Sequence, residues 1–390
     1  MTTPLYDGVD HLHWYCGNAL QAAAYFVHGF GMERVAYRGL ETGFRDAASH
    51  VVRRGRVTFV FTCAVARPES SGALGREVSA HVQRHGDGVH DVALRVSDAR
   101  AAFAYAVSRG ARAVHAPTEL REDEGEPVVV ATVATYGETV HTFVQRPASY
   151  AGAFLPGVKP VPRSAAPPRG PRDPADPPQL LLIDHVVGNQ PANEMGPVAE
   201  WYKHKLDFER FWTPDDEITH TDMTGFRSVV VADKRRTVKL PINEPAAGAF
   251  KSQIQEFVDF YAGAGVQHIA LLTGDAVETV ARLRARGVEF LDAPPNYYAL
   301  VEERVRTANV RDAVRDQVRR LDWPRIRELH IMVDFNEEGY LLQIFTKPLS
   351  DRPTVFIEII QRCGCEGFGA GNFHALFKAV EMAQAKRGNL

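Results

Sequence analysis

The chain has 390 residues, of which 45% are hydrophobic and 24% charged, and its formal net charge is −3. This length exceeds what one ordinary core holds and favours two domains of just under 200 residues each. The small net charge predicts no surface for nucleic acid or an anionic membrane, and no apolar run approaches the roughly 18 residues of a membrane span.

The N-terminus and the cysteines predict the compartment. The opening residues have neither the basic nor the apolar region of a secretory signal. Cys16, Cys63, Cys363 and Cys365 are too few for a disulfide framework in a chain of this length. The closely spaced pair at 363 and 365 is weak evidence for zinc, because no second Cys/His pair accompanies it. We therefore expect a cytoplasmic protein.

The first half contains two similar units of strands and a helix. An apolar strand in VDHLHWYCGN, from Val9, begins the first unit. The second unit, at 86–117, has a strand, a helix from Asp98 to a terminal glycine at Gly110, and a short strand. A strand ending in Val-Gln-Arg at 144–146 closes this half.

Residues 150–178 are crowded with proline, glycine and small residues. Proline fixes φ and lacks a backbone donor, so this segment cannot be a helix or a central strand. We interpret it as an extended linker between an N-terminal domain, 1–149, and a C-terminal domain, 179–390.

The second half repeats the first. Residues 86–117 align without a gap onto 263–294, with 12 of the 32 positions identical at a constant offset of 177. The first strand matches LLLIDHVVGN, and the closing strand matches Ile-Gln-Arg at 360–362. Each half has two such units, so we predict an α+β chain of four tandem βαβββ modules. They would form two open-barrel domains, each closing around a cavity with its helices packed outside.

Three polar residues occupy apolar strands at matching places in the second half. His185 and His268 lie on the first strands of the third and fourth modules, and Glu358 lies on the final apolar strand. A buried carboxylate needs compensation, and a divalent cation supplies it. Two imidazoles and one carboxylate form the ligand set of iron(II) oxygenases, so we predict an Fe(II) site.

Simpler interpretations remain for each residue alone. A single strand histidine is more often a hydrogen-bonded core residue, and Glu358 could pair with Arg362. The first half provides an internal comparison, because the three equivalent positions there are His11, Asp91 and Thr142. We therefore expect the N-terminal domain to be a degenerate copy that holds no iron, with a structural role for His11.

Several long motifs resemble one known family. KLPINEPA, KSQIQEFVDFYAGAGVQHIAL, GYLLQIFTKPLSDRPTVFIEIIQR and GFGAGNFHALFKAVE are similar to the 4-hydroxyphenylpyruvate dioxygenase family of the vicinal oxygen chelate superfamily. RGLETG and HGDGV in the first half extend the likeness, which is weakest in the linker and at 301–327.

The resemblance implies a reaction and a substrate pocket. An iron held by His185, His268 and Glu358 would take the substrate 4-hydroxyphenylpyruvate and O2, giving homogentisate and CO2 in tyrosine catabolism, with no catalytic residue beyond the metal centre. An aromatic cage is expected from Phe345, Phe356, Phe368, Phe373 and Phe377. Polar groups for the phenol and the carboxylate are expected from Ser228, Asn243, Gln253, Gln267, Gln343 and Asn372.

A helix from Asn372 to Lys386 is expected to cover this pocket as a lid. By resemblance we expect a homo-oligomer, with a dimer favoured. The charged stretch at 301–327 is expected to be a solvated helix and loop, and its role cannot be read.

Three other functions stay open. 4-Hydroxymandelate synthase shares the substrate and ligands but hydroxylates the benzylic carbon, and the triad cannot distinguish the two. The run Pro241–Asn243 and Phe345 match the ring-hydroxylating type better. A catalytically inactive ligand-binding paralogue is the second alternative. An extradiol dioxygenase is the third, but no matched motif supplies its acid–base residue.

Overall fold

The computed structural model describes residues 4–67, 70–122, 125–161, 177–212, 219–220 and 225–389. Side chains are described for all of these except 212, 219–220 and 373–377. No helix in these ranges is long and apolar enough to cross a bilayer.

The first half consists of two βαβββ modules joined by a helix. The first module comprises β1 (Tyr6–Tyr15), α1 (Ala19–His28), β2 (Glu33–Arg38), β3 (Ala47–Arg54) and β4 (Val57–Ala64). The connecting helix is α2 (Ala73–His85). The second module comprises β5 (Gly88–Val96), α3 (Ala99–Ser108), β6 (Ala113–Leu120), β7 (Val128–Ala134) and β8 (Val140–Gln145).

The first part of the expected linker packs on this half. Phe154 is buried, and the two-residue strand β9 (Lys159–Pro160) pairs with the outer strand β2. A proline is tolerated there because an edge strand leaves one side of its backbone unpaired. The part of the linker at 162–176 lies outside the described residues.

The second half contains the third and fourth modules. The third comprises β10 (Leu182–Asn189), α4 (Met195–Leu206), β11 (Glu209–Trp212), β12 (Thr219–His220), β13 (Gly225–Ala232) and β14 (Lys239–Ala246). The connecting helix is α5 (Gln253–Tyr261). The fourth module comprises β15 (Gly265–Leu272), α6 (Ala276–Ala285), α7 (Tyr297–Thr307), α8 (Asp312–Arg319), α9 (Trp323–Glu328), β16 (Met332–Phe335), β17 (Tyr340–Phe345) and β18 (Phe356–Cys363). The C-terminal helix α10 (Phe373–Lys386) follows.

The two sheets have the same strand arrangement. The first has the order β6-β7-β8-β5-β1-β4-β3-β2-β9, and the second has β11-β13-β14-β10-β15-β18-β17-β16, with β12 added to β13. In each sheet the first strands of two successive modules pair antiparallel, β1 with β5 and β10 with β15, and a parallel strand flanks each of them. The predicted α+β fold, with two curled sheets built from four modules, is confirmed.

The pairing register also repeats. His11 pairs with Ala93 in the first sheet, and His185 pairs with Ala270 in the second. In the same way Asp91 lies opposite Val140, and His268 lies opposite Phe356. The sequence repeat is therefore a structural repeat down to single residue pairs.

The predicted ends of the repeated helices are observed. The Asp98 side chain accepts a hydrogen bond from the Ala101 amide, and Asp275 accepts one from Glu278, both at 2.9 Å. These contacts satisfy amides that a helix start leaves unpaired. Gly110 and Gly287, which follow the helices, have φ of +86° and +88°, a region that favours glycine.

One connected core of buried apolar residues extends through both halves. Polar contacts add to it: the Tyr6 hydroxyl donates to the Leu206 carbonyl at 3.1 Å, and His141 Nε2 lies 2.8 Å from the Tyr202 hydroxyl. The first half is therefore packed directly against the half that carries the predicted ligands.

The charged stretch at 301–327 differs from the expected solvated helix and loop. It forms most of three helices, α7 to α9, which bury Val301, Val305, Val314, Val318 and Ile326. The valines of α7 and α8 are spaced four residues apart, so each of these helices packs one apolar stripe, while most of the arginines are exposed. The expectation was wrong because the density of charge concealed this spacing.

Candidate metal centre

Three predicted donors from three neighbouring strands meet at one point. His185 lies on β10, His268 on β15 and Glu358 on β18. Nε2 of His185 is 3.2 Å and Nε2 of His268 is 3.4 Å from Oε2 of Glu358. All three donor atoms lie within 4.8 Å of one another.

The other ring nitrogen of each histidine is held by the preceding residue. His185 Nδ1 donates to Asp184 Oδ1 at 2.7 Å, and His268 Nδ1 donates to Gln267 Oε1 at 2.9 Å. In the neutral imidazoles, these bonds leave the Nε2 lone pairs facing Glu358. Such an outer partner orients a metal-ligating histidine and fixes its tautomer.

Asp184 is itself anchored by Arg362. The guanidinium donates from Nε to Oδ2 at 2.9 Å and from Nη2 to Oδ1 at 2.8 Å. Burial opposes ionisation of Asp184, but hydrogen bonds from His185 and Arg362 outweigh it and hold its pKa well below the usual range. This pairing also removes the interpretation that Arg362 neutralises Glu358.

The Glu358 carboxylate forms no ion pair with a lysine or arginine of the described residues. Among the described residues, the ion pairs of this carboxylate are those with the two histidines. Burial opposes its ionisation, yet when the imidazoles are protonated the charge of His185 and hydrogen bonds from both histidines lower the pKa of Glu358 to about 2. A buried carboxylate with two convergent imidazoles suits a divalent cation with open coordination positions.

The equivalent place in the first half is closed by a hydrogen bond. Thr142 donates to Asp91 from its amide at 2.9 Å and from its hydroxyl at 2.5 Å. His11 has the same outer partner as His185, because its Nδ1 lies 2.8 Å from Oδ1 of the preceding residue, Asp10. Asp91 is thus satisfied by the protein itself, and one imidazole remains where the second half has two.

A pocket opens beside the three donors, and all three of them line it. Phe356 stacks on the His268 ring with centroids 4.8 Å apart, and Phe368 meets the His185 ring edge-on at 5.1 Å. Phe345 lies 6.0 Å from the His268 ring. The donors therefore lie against an aromatic wall.

Most of the polar residues expected for the substrate also line this pocket. They are Ser228, Asn243, Gln253, Gln267 and Gln343. Ser228 and Asn243 are opposite each other on β13 and β14, and Asn243 Nδ2 donates to Asn189 at 3.2 Å. Within the described part of the chain, Gln343 Oε1 is buried without a hydrogen-bond partner. An unpaired buried acceptor is costly and is suited to a donor on a ligand.

One expected pocket residue lies outside the lining, and two others have side chains that the structure does not describe. Asn372 is buried outside the pocket lining, and its Oδ1 accepts from the Tyr297 hydroxyl at 2.7 Å. Its contact attaches the start of α10 to α7. The side chains of Phe373 and Phe377 lie outside the described part of the chain.

Sequence reasoning missed the apolar lining. Five residues complete the pocket: Val187, Phe226, Val230, Pro241 and Ile254. Four of them are two positions from a predicted site residue on the same strand, where side chains share a face. That alternation was available in the sequence, and it places Phe226 and Val230 beside Ser228.

Comparisons with known proteins show the family of the chain. A sequence model of the Glyoxalase/Bleomycin resistance protein/Dioxygenase superfamily matches residues 182–313. The 4-hydroxyphenylpyruvate dioxygenase of Aspergillus fumigatus is 49% identical, over 99% of this chain and 94% of that protein. That of Xenopus tropicalis is 47% identical, over 97% of this chain and 92% of that protein.

The chain belongs to the 4-hydroxyphenylpyruvate dioxygenase family. A solved structure of a triple mutant of 4-hydroxymandelate synthase from Streptomyces coelicolor is also similar, with a TM-score of 0.80 and 32% identity, covering 97% of this chain and 99% of that one. The family members named above share more of this sequence than that neighbour does.

Proposed function

We propose that this chain is a metal-dependent dioxygenase that converts 4-hydroxyphenylpyruvate and O2 to homogentisate and CO2. One observation carries the proposal: His185, His268 and Glu358 converge at the wall of an aromatic pocket, in a chain that belongs to this family. Oxidative decarboxylation, ring hydroxylation and side-chain migration balance without any further reductant.

Fe(II) is the proposed metal, and the three donors fit it. Two imidazoles and one carboxylate are the ligand set of non-haem iron oxygenases. When bound, the iron supplies chelation of the 2-oxo acid and activation of O2. The chain supplies orientation and a dry pocket, which is the division of labour expected for a cofactor enzyme.

The pocket residues then have distinct proposed roles. Phe345, Phe356 and Phe368 enclose the substrate ring and exclude water. Gln343 and Ser228 are neutral groups available to the phenol and the carboxylate, together with Asn243 and Gln253. Gln267 has a positioning role, because its Oε1 accepts from His268 Nδ1. Asn372 is proposed to act on the pocket indirectly, by fixing the start of α10.

The division of labour between the halves is also a proposal. We assign 1–149 to a scaffold copy without iron, 150–178 to the linker and 179–390 to the catalytic domain, with α10 as a lid. The Asp91–Thr142 hydrogen bond supports this assignment. Four free cysteines support the cytoplasmic location. A homo-oligomer, with a dimer favoured, is proposed from the resemblance alone.

Product analysis tests the proposed reaction. The purified chain is incubated with Fe(II), ascorbate and 4-hydroxyphenylpyruvate, while O2 uptake and products are measured. We expect one O2 consumed and one CO2 released for each homogentisate formed. 4-Hydroxymandelate as the product would overturn the choice of ring hydroxylation, and no substrate-dependent O2 uptake would favour the ligand-binding paralogue.

A spectroscopic measurement tests the metal centre separately. Without O2, Fe(II) and 4-hydroxyphenylpyruvate together are expected to give the weak visible charge-transfer absorption of a chelated oxo acid. Its absence with bound iron would show that the substrate does not reach the metal.

A further inference from the structure

A second cluster of metal-binding side chains lies in the scaffold half. His81 and His85 are one turn apart on α2, and Glu138 lies in the turn between β7 and β8. One donor atom from each lies within 4.8 Å of the others. The cluster is distinct from the repeat-equivalent position formed by His11, Asp91 and Thr142.

His81 is buried without a partner. Its exposed fraction is 3%, and neither ring nitrogen has a hydrogen bond in the described structure. A buried polar group left unsatisfied is destabilising, so such groups are rare unless a ligand or ion completes them.

His85 is held in a defined orientation. Its Nδ1 donates to the backbone carbonyl of Tyr261 at the end of α5, and its ring stacks on the Tyr261 ring at 4.5 Å. In the neutral ring, Nε2 is therefore an acceptor. It lies 3.1 Å from Oε2 of Glu138 but makes no hydrogen bond with any described residue. Two acceptors this close need a shared proton or a cation between them.

His85 has the same arrangement of partners as the two histidines of the proposed iron site. His185 and His268 also donate from Nδ1 to an oxygen and turn Nε2 toward a carboxylate. An outer oxygen of this kind, including a backbone carbonyl, is characteristic of metal-ligating histidines. The other oxygen of Glu138 accepts from Arg84 at 2.8 Å, which fixes the carboxylate.

We propose that His81, His85 and Glu138 bind one Zn²⁺. Two imidazole nitrogens and a carboxylate oxygen are typical zinc ligands, and water completes a tetrahedral set because the Glu138 side chain is 45% exposed. The ion would tie α2 of the first half to the end of α5 in the second, through His85 and Tyr261. Its role is to stabilise the contact between the halves.

The test uses the full chain with the catalytic donors removed. His185→Ala and His268→Ala are combined, and ZnCl2 is titrated into the metal-free protein by calorimetry, with bound zinc counted by mass spectrometry. We expect one equivalent to bind and the melting temperature to rise. Adding His81→Ala should weaken zinc binding by at least a hundred-fold and abolish that rise.

Two further variants control the interpretation. Glu138→Gln alters an exposed side chain, so it tests the site even if His81→Ala fails to fold, and it should also weaken binding. His204→Ala removes a surface histidine that lies at the same 3.1 Å from a glutamate, Glu200, and should change nothing.

Two outcomes would overturn the proposal. In one, the folded variant without catalytic donors binds no zinc, which leaves His85 and Glu138 as a simple ion pair. In the other, zinc binds but is unaffected by both His81→Ala and Glu138→Gln, which places it elsewhere on the surface. Neither outcome depends on the dioxygenase reaction, so the proposed function is tested independently.

Discussion

At the scale of single residues, Glu358 carries the charge of the proposed iron site. Glu358→Gln keeps the shape of the side chain but removes the charge that compensates a cation. We expect iron affinity to fall more than about a hundred-fold, since loss of an outer partner alone costs about 10–100-fold. Retained iron after gel filtration and O2 uptake measure the effect. Glu366→Gln is the control, because it changes a carboxylate that pairs with Lys239. This variant should retain its iron and its O2 uptake.

Asp184 and Asp10 form a matched pair that separates stability from metal binding. Each carboxylate is buried, contacts the Nδ1 of the following histidine and pairs with arginine, Arg362 in one case and Arg146 in the other. Breaking a buried pair costs about 3–5 kcal/mol, so Asp184→Asn and Asp10→Asn should both lower the free energy of unfolding.

Their effects on iron should differ. Only Asp184→Asn is expected to lower iron affinity, by about 10–100-fold, because only His185 is a proposed ligand. Urea unfolding and iron titration of both variants measure the two quantities. Equal loss of iron affinity in Asp10→Asn would show that the effect comes from general destabilisation.

At the scale of elements, hydrogen bonds join the C-terminal end of α10 to α5; we call these contacts the clamp. Arg387 donates to the Glu256 carboxylate at 2.6 and 3.2 Å, and Asn389 donates to it at 3.0 Å. Gln384 adds a bond to the Lys251 carbonyl at 2.9 Å. Because Gln253 and Ile254 of α5 line the pocket, these contacts place α10 next to it.

Removing the clamp should loosen the proposed lid. Arg387→Ala leaves the buried Glu256 carboxylate without its cation, so we expect about ten-fold faster amide exchange in α10, discounting the contact for partial exposure. KM for 4-hydroxyphenylpyruvate should rise. Lys386→Ala is the neighbouring control. Unchanged turnover after deletion of residues 371–390 would contradict a lid.

The elements also show what sequence could predict. The repeat and the helix caps at Asp98 and Asp275 are patterns visible in the sequence. They predicted the four modules and the strands on which the three proposed ligands lie. The three helices of 297–328 were missed because valines at four-residue spacing are sparse among many arginines. The position of Asn372 depends on its bond to Tyr297, a contact across 75 residues, which no local pattern contains.

At the scale of the whole molecule, buried neutral histidines predict acid sensitivity. His141 is buried between the Val92 carbonyl and the Tyr202 hydroxyl, and burial lowers its pKa to about 4. In the unfolded chain its pKa is near 6.5, so the unfolded state binds more protons between these values. Stability therefore falls as the pH falls below about 6.5.

The prediction concerns the slope of stability against pH. Between pH 7 and pH 5 the metal-free protein should lose unfolding free energy, with about 2 kcal/mol from His141 alone. Urea unfolding of the parent chain and of His141→Gln at pH 7 and pH 5 measures the contribution of His141. The variant should lose less unfolding free energy between the two pH values than the parent chain does. His204→Gln, at an exposed histidine, should follow the parent chain; an equal slope in His141→Gln would contradict the assignment.

The identical strand register of the two sheets has a consequence for ancestry and redesign. The strands of the first sheet keep the backbone pairing of the strands that carry the proposed ligands, so side chains distinguish the proposed scaffold copy from the proposed catalytic one. Asp91→His with Thr142→Glu should therefore return a donor set beside His11 and raise the count of tightly bound divalent ions by one. If the count does not rise in a folded variant, the copies have diverged in backbone as well as in side chains.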